Sequence, residues 1–270
     1  MAFLMEDMTV KDMNEAIKCT KTAIIPVGVV EQHGFHLPLS TDIHNSYELS
    51  KKAGERLKAV VAPSVNYCYS GGELLGTINI STQVFSLLIT DICLEFVRMG
   101  FKNIVVLLGH AGTDNKVALR SSLQMILKRN PHLTDLTLSL VECWELSPTW
   151  LDCFKMEPEH DFHAGMAETS LMLYWKPELV KDTIEMDEPE VSRMMRSDQD
   201  WFEASEKKID SRFIIPRTYQ RKEIKVGVMG FPEKANKELG EIICNEMIEG
   251  LVEYINMLNS HTSRSDNCGL

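Results

Sequence analysis

The sequence predicts an α/β fold with a mainly parallel central sheet covered by helices on both faces. Three observations carry this reading. Short apolar runs rich in β-branched residues recur at 23–30, 59–63, 104–108 and 136–141. The first three run on without polar alternation, as strands buried on both faces do. Segments of helical apolar spacing lie between them, and strands that alternate with helices build parallel sheets.

Taken in order, 9–18 has helical spacing and a Thr9-x-x-Asp12 start, the pattern of a capped N-terminus. The first long strand, Ala23 to Val30, follows. A helix is predicted from Asp42 to Leu57, with Ile43, Leu49 and Ala53 on its apolar side. Residues 59–63 form a second strand, and 66–80 a loop rich in Tyr and Gly. The spacing of Val84, Leu87, Leu88, Ile92 and Phe96 predicts a helix over 82–99, with Gly100 as its stop. Strand 104–108, helix 115–129 and strand 136–141 come next. A helix is expected over 165–175, a last strand over 224–229 and a long final helix over 232–257. One domain over 1–259 accounts for all of this. Residues 178–222, acidic and mixed, read as a surface insertion, and 260–270 as a frayed, disordered tail.

Composition narrows the function. The chain has 270 residues, enough for one large domain with a substantial core. An apolar content of 44% argues against disorder. The net charge of −11 disfavours a nucleic-acid partner, whose phosphates it would repel. Seven scattered cysteines without Cys-x-x-Cys point to a reducing compartment, and a cytoplasmic protein is expected. No basic segment followed by a long apolar one opens the chain, so no signal peptide is expected. No apolar run approaches membrane-spanning length, so no membrane partner is expected either.

The chemistry concentrates in Glu31-Gln32-His33-Gly34-Phe35-His36-Leu37-Pro38-Leu39-Ser40-Thr41-Asp42. In extended chain, side chains two apart share a face, so Glu31 and His33 point the same way. Carboxylate oxygen with imidazole nitrogen suits zinc, manganese or iron(II). The plain alternative is a polar loop with Asp42 as a helix cap. His110 follows another strand, and in a parallel sheet both strands end on one edge, where ligands bind. A third stretch sets His163 at a helix entry and Glu168 one turn inside, both able to face a common pocket. The alternative there is a cap with a solvated glutamate. Glu31, Asp42 and Glu168 bring three negative charges, which two divalent ions and one bridging hydroxide would balance. His163 remains as a proton donor.

These motifs resemble those of the creatininase (creatinine amidohydrolase) family. The first is Glu31-Gln32-His33-Gly34-x-His36-Leu37-Pro38-Leu39-x-Thr41-Asp42. Gly109-His110-x-Gly112 is similar to the second, and His163-Ala164-Gly165-x-x-Glu168-Thr169-Ser170 to the third. Gly76-Thr77-Ile78 and Gly227-Val228-x-Gly230-x-Pro232 also match. The resemblance implies a three-layer α/β/α fold, a small-molecule substrate, a binuclear centre and a homohexamer. It implies that Glu31, Asp42 and His110 hold one metal, and His33, Asp42 and Glu168 the other. Zinc is the first expectation, manganese or iron(II) the next. His163 matches the catalytic histidine. Two departures bear on substrate. Gly112 stands where creatininases proper have a glutamate, and Glu159-His160-Asp161-Phe162 lacks their lid tryptophan.

The reading is a metal-dependent hydrolase in which metal-bound hydroxide attacks a carbonyl carbon, breaking a cyclic amide or related C–N bond. Tyr67, Tyr69, Glu73, Trp144 and Phe162 are candidates for the pocket wall, with core packing as their alternative. Creatinine is expected to be a poor substrate, in a pocket roomier near Gly112 and more acidic near Glu159 and Asp161. Trp201, Phe202 and Phe213 offer surface for self-association. One rival opens a cyclic polyol ketone by C–C hydrolysis. Another is a non-catalytic metal-binding oligomeric scaffold.

Overall fold

Five strands form one parallel sheet: β1 (Phe3–Leu4), β2 (Thr22–Val27), β3 (Val60–Val61), β4 (Asn103–Leu108) and β5 (Thr137–Glu142). Their order is β1-β3-β2-β4-β5 in the computed structural model, which describes residues 3–267. From β2 the chain steps outward to β3, then crosses back to lay β4 and β5 on the other side. The strand order therefore reverses between β2 and β4. Val27 pairs with Leu108, so these two strands end level.

Every residue of β2 and β4 is buried, which explains their unbroken apolar runs. Side chains alternate between two cores. Ile24, Val105 and Leu107 face a layer made of α2 (Thr41–Arg56), α5 (Pro148–Phe154), α6 (Met166–Trp175) and α8 (Lys237–Asn267). Ile25, Val27, Val106 and Leu108 face α1 (Val10–Cys19), α3 (Thr82–Arg98) and α4 (Thr113–Arg129). The result is the expected three-layer α/β/α architecture. Each such Ile, Val or Leu contributes about 1.5–3 kcal/mol by its burial.

Helix ends follow local chemistry. Thr9 and Asp12 form the capping box that their spacing predicts, with Thr9 N–H donating to Asp12 Oδ2 at 2.8 Å. At the end of α3, Gly100 N–H donates to Val97 O and Phe101 N–H to Phe96 O. That Schellman pattern is closed by the Phe96 and Phe101 rings, 5.2 Å apart and edge to face.

Several elements differ from expectation. β1 is two residues long, too short to leave a pattern. The second strand contracts to Val60–Val61, ahead of Pro63, which has no N–H to donate. Residues 224–229 form no strand, because Gly227 takes φ +76° and breaks the extended run. Only Met229 pairs, in a single bridge to His163. The last helix starts at Lys237 rather than Pro232 and continues to Asn267, through most of the segment expected to fray. No Gly or Pro stands between Leu251 and Asn267 to stop it. Residues 268–270 lie outside the described residues.

The 178–222 segment holds α7 (Pro189–Ser197) and a hairpin of β6 (Glu203–Glu206) and β7 (Arg217–Gln220). Trp201 and Phe202 pack on a buried cluster of Met195, Ile224 and Met229, so they are not free surface. Phe213 is, at 76% exposure. On α3, Val84, Leu87 and Leu88 are also exposed. Among the described residues no helix is long and apolar enough to cross a membrane, and all six described cysteines are free.

Candidate metal centre and active site

The loop after β2 carries Glu31 and His33, and the loop after β4 carries His110. Both emerge where the strand order reverses, the position at which open α/β sheets bind ligands. Asp42 comes from the first turn of α2, which sits directly on the two strand ends. A Cβ on Gly109 would fall 2.1 Å from the Asp42 carbonyl oxygen, and one on Gly28 2.5 Å from the Ile43 backbone. Only glycine allows that approach, and the approach lets Asp42 reach both histidines. His33 Nε2 lies 3.2 Å from Asp42 Oδ1, and His110 Nδ1 lies 3.1 Å from Oδ2. The helix cap is Ser40, so Asp42 is not the cap.

Glu31 Oε2 is 3.1 Å from the same His110 nitrogen. Its other oxygen accepts from the Ser70 hydroxyl at 2.6 Å. On the opposite side, Glu168 Oε2 is 3.6 Å from His33 Nε2. A tight turn delivers that glutamate: Ala164 takes φ +52° and its N–H donates to Glu168 Oε2 at 2.7 Å. The His163 ring, just before the turn, lies 4.3 Å from the His33 ring. His163 and Glu168 thus meet at one site from a loop and a first helical turn. His33 Nδ1 is 3.2 Å from the Glu31 carbonyl oxygen, which leaves Nε2 to face the carboxylates.

The electrostatics are those of a cation site. Burial alone would disfavour charge on His33. The Asp42 and Glu168 carboxylates overcome it and raise the imidazole well above its usual value. His110 is raised in the same way, by Glu31 and Asp42 against its burial. Burial likewise works to raise Asp42, but His33 and His110 hold it well below the usual carboxylate range. The carboxylates draw in positive charge, and divalent ions answer the same field.

The donor set fits a metal. Glu31, Asp42 and His110 form one triad, and His33, Asp42 and Glu168 another, with the donor atoms of each within 4.8 Å of one another. Glu31 Oε2 and His33 Nε2 are buried and make no hydrogen bond. Imidazole nitrogens with carboxylate oxygens match zinc, manganese and iron(II).

Above the triads opens a cavity of about 640 Å³. Tyr69, Trp144 and Phe162 line it, as do Gln32 and His163. Glu73 does not; its backbone N–H turns to the Gln220 side chain. Tyr67 is off the wall and largely exposed. The acidity expected near Glu159 and Asp161 is absent from the wall. Glu159 pairs with Arg196, and Asp161 is buried, accepting N–H groups of Met166, Ala167 and Phe231. Acidic groups come instead from Asp114, Asp200 and Glu203. Two of these lie in the 178–222 segment, where no local pattern marks them. Gly112 adds little room, because its Cα packs on His110 and a Cβ would fall 2.5 Å from His110 Nε2.

Comparison with known proteins agrees with this geometry. The family model described as creatininase, creatinine amidohydrolase, matches residues 6–255. A creatinine amidohydrolase of Pseudomonas putida is 24% identical over 246 residues, 86% of this chain and 87% of the relative. A mycofactocin precursor peptide peptidase of Mycolicibacterium smegmatis is 31% identical over 166 residues, 57% of this chain and 58% of the relative. The solved structure titled "Creatininase Mn" superposes with a TM-score of 0.76 at 21% identity, over 96% of this chain and 99% of that one. The chain therefore belongs to the creatininase family, whose members are metal-dependent hydrolases.

Proposed function

We propose that the protein is a binuclear hydrolase that cleaves an amide or related C–N bond at a carbonyl carbon of a small polar molecule. The observation that supports this is Asp42, one buried carboxylate whose two oxygens face two separate donor triads. Glu31, Asp42 and His110 would hold one ion, and His33, Asp42 and Glu168 the other. Bound there, the ions would lower the pKa of a shared water and polarise the substrate carbonyl. Zinc is the first choice for this donor set, manganese or iron(II) the next.

The protein's own groups then do the rest. His163 keeps Nε2 against the Gln32 main-chain oxygen at 2.8 Å. Its Nδ1 makes no protein hydrogen bond among the described residues, and the residue lines the cavity. Nδ1 is therefore the atom assigned to carry a proton to the leaving nitrogen. Tyr69, Phe162 and Trp144 wall off water, and Asp114, Asp200 and Glu203 favour hydroxyl or ammonium groups at the far end of the substrate. The peptidase relative is consistent with an occupant larger than creatinine. The exposed α3 face supports self-association, for which a hexamer is the proposed state. Six free cysteines suit a reducing compartment such as the cytoplasm.

The test is a side-by-side assay of metal-replete protein with creatinine, small formamides, short peptides and cyclic polyol ketones. An amide other than creatinine should give the best kcat/KM. Turnover restricted to the polyol ketones would replace C–N by C–C cleavage, and creatinine leading the panel would refute the argument from the wall. Elemental analysis should approach two metals per chain; a value near one in active protein would end the binuclear reading.

A further inference from the structure

Asp187 lies in the segment 178–222, far along the chain from every residue of the centre. It is buried, and it has no basic partner among the described residues. Its carboxylate takes three consecutive backbone N–H groups. Oδ1 accepts from Lys225 at 2.5 Å and from Val226 at 3.0 Å, and Oδ2 accepts from Gly227 at 2.7 Å. A buried carboxylate spent wholly on one turn fixes that turn's geometry.

The turn it fixes touches His163 twice. Two residues on, Met229 N–H donates to the His163 carbonyl at 2.8 Å and Met229 O accepts from the His163 N–H at 3.3 Å. Gly227, at φ +76°, packs its Cα flat against the Gln32 amide, so closely that a Cβ would stand 2.6 Å from Gln32 Nε2. The Gly227 carbonyl accepts from Gln32 Nε2 at 3.3 Å, and Gln32 Oε1 accepts from the Gly34 N–H at 3.1 Å. Both contacts demand the same orientation of the amide. Gln32 in turn brackets one ring nitrogen. His163 Nε2 is 2.8 Å from the Gln32 main-chain oxygen and 3.1 Å from the Gln32 side-chain nitrogen. With the proton on Nε2, that nitrogen donates to the oxygen at 2.8 Å, which anchors the ring and leaves Nδ1 free.

We infer that Asp187 and Gln32 are positioning residues for His163: Asp187 pins the 225–229 turn, and the turn sets the His163 backbone directly and its ring through Gln32. This rests on the reading that His163 transfers the proton. It gives the 178–222 segment a part in turnover that a surface insertion would lack.

The experiment compares Asp187→Ala, Asp187→Asn, Gln32→Ala, the Asp187→Ala/Gln32→Ala double variant and His163→Ala. All are loaded with metal, checked for metal content, and assayed on whichever of creatinine, a formamide, a dipeptide and a cyclic polyol ketone the wild type turns over. Asp187→Ala and Gln32→Ala should each lower kcat by about 10–100-fold, the scale of a small misplacement of a catalytic group. KM and metal content should stay near wild type. Asp187→Asn keeps the Oδ1 acceptor and should fall between alanine and wild type. The double variant should lose no more than the worse single, since both act through one chain. A second readout needs no substrate. In metal-free protein labelled with ¹⁵N-histidine, the His163 ring signals, identified by their loss in His163→Ala, should move toward those of a solvated imidazole in Asp187→Ala and in Gln32→Ala. Folded variants with unchanged ring signals and unchanged kcat would overturn the inference alone if His163→Ala is inactive. Full activity of His163→Ala would overturn it together with the role of His163.

Discussion

Replacing Asp42 by alanine removes the two oxygens that face His33 and His110, so both triads lose a member at once. The expected outcome is loss of both metals on elemental analysis. His33→Ala removes a member of one triad only and should empty one site preferentially. Equal loss in the two variants would mean that Asp42 is not the bridge. His163 is proposed to carry the proton, and Glu31, His33 and His163 also bring donor atoms within 4.8 Å of one another. The His163 ring is anchored through Nε2 and free at Nδ1, so His163→Ala should spare metal content and lower turnover by about 10²–10⁴-fold. Metal loss in that variant would make His163 a ligand. The centre also crowds three carboxylates into a buried space. Stripping metal with a chelator should lower Tm, and adding zinc or manganese back should restore it, because an ion that binds only the folded state stabilises it.

At the scale of elements, the helices are fixed to one another by polar contacts that no periodicity reveals. Glu246 on α8 caps α5. It accepts from the Ser147 hydroxyl at 2.6 Å, from the Thr149 N–H at 3.0 Å and from the Thr149 hydroxyl at 2.8 Å. Partial burial works to raise its pKa, but these donors outweigh it and hold it below the ordinary value of 4.5. A depressed carboxylate contributes stability above its unfolded pKa and loses it as pH falls through the folded one. Glu246→Ala should therefore cost about 1 kcal/mol near neutral pH. The difference from wild type should shrink as pH falls below 4.5. Urea midpoints of both proteins between pH 3 and 7, roughly the window of carboxylate titration, would check this; a difference that grows toward acid would reverse the sign.

For the whole molecule, α3 presents an apolar stripe to solvent. Leu87 is 66% exposed, with Val84 and Leu88 beside it. An apolar stripe of this kind is read as a contact surface. Leu87→Asp should shift sedimentation at micromolar concentration to a smaller species than wild type, with the fold intact by circular dichroism. Wild type sedimenting as a fully active monomer would remove self-association from the proposal.

Much of this was legible in the sequence, for a physical reason in each case. β2 and β4 are buried on both faces, so all but their first residues, Thr22 and Asn103, are apolar. Thr9 and Asp12 satisfy each other's backbone across three residues, so their spacing was enough. Glu31, His33 and Asp42 fall within one loop and one helical turn, so local geometry brought them near each other before any folding was considered. The wall of the cavity was a different matter. Glu73 turned away, Asp161 was consumed by three backbone N–H groups, and Asp114, Asp200 and Glu203 took the acidic role. Those outcomes depend on which loops cross above the sheet edge, and loop crossings carry no periodicity. Asp187 is the clearest instance, since its partners lie 38–40 residues away and nothing around it marks the contact. Sequence by itself determined the layers and the grouping of Glu31, His33 and Asp42, because short-range periodicity and short-range spacing encode these. Tertiary structure alone decided which side chains wall the pocket and which contact His163, because those contacts are made between distant segments by packing.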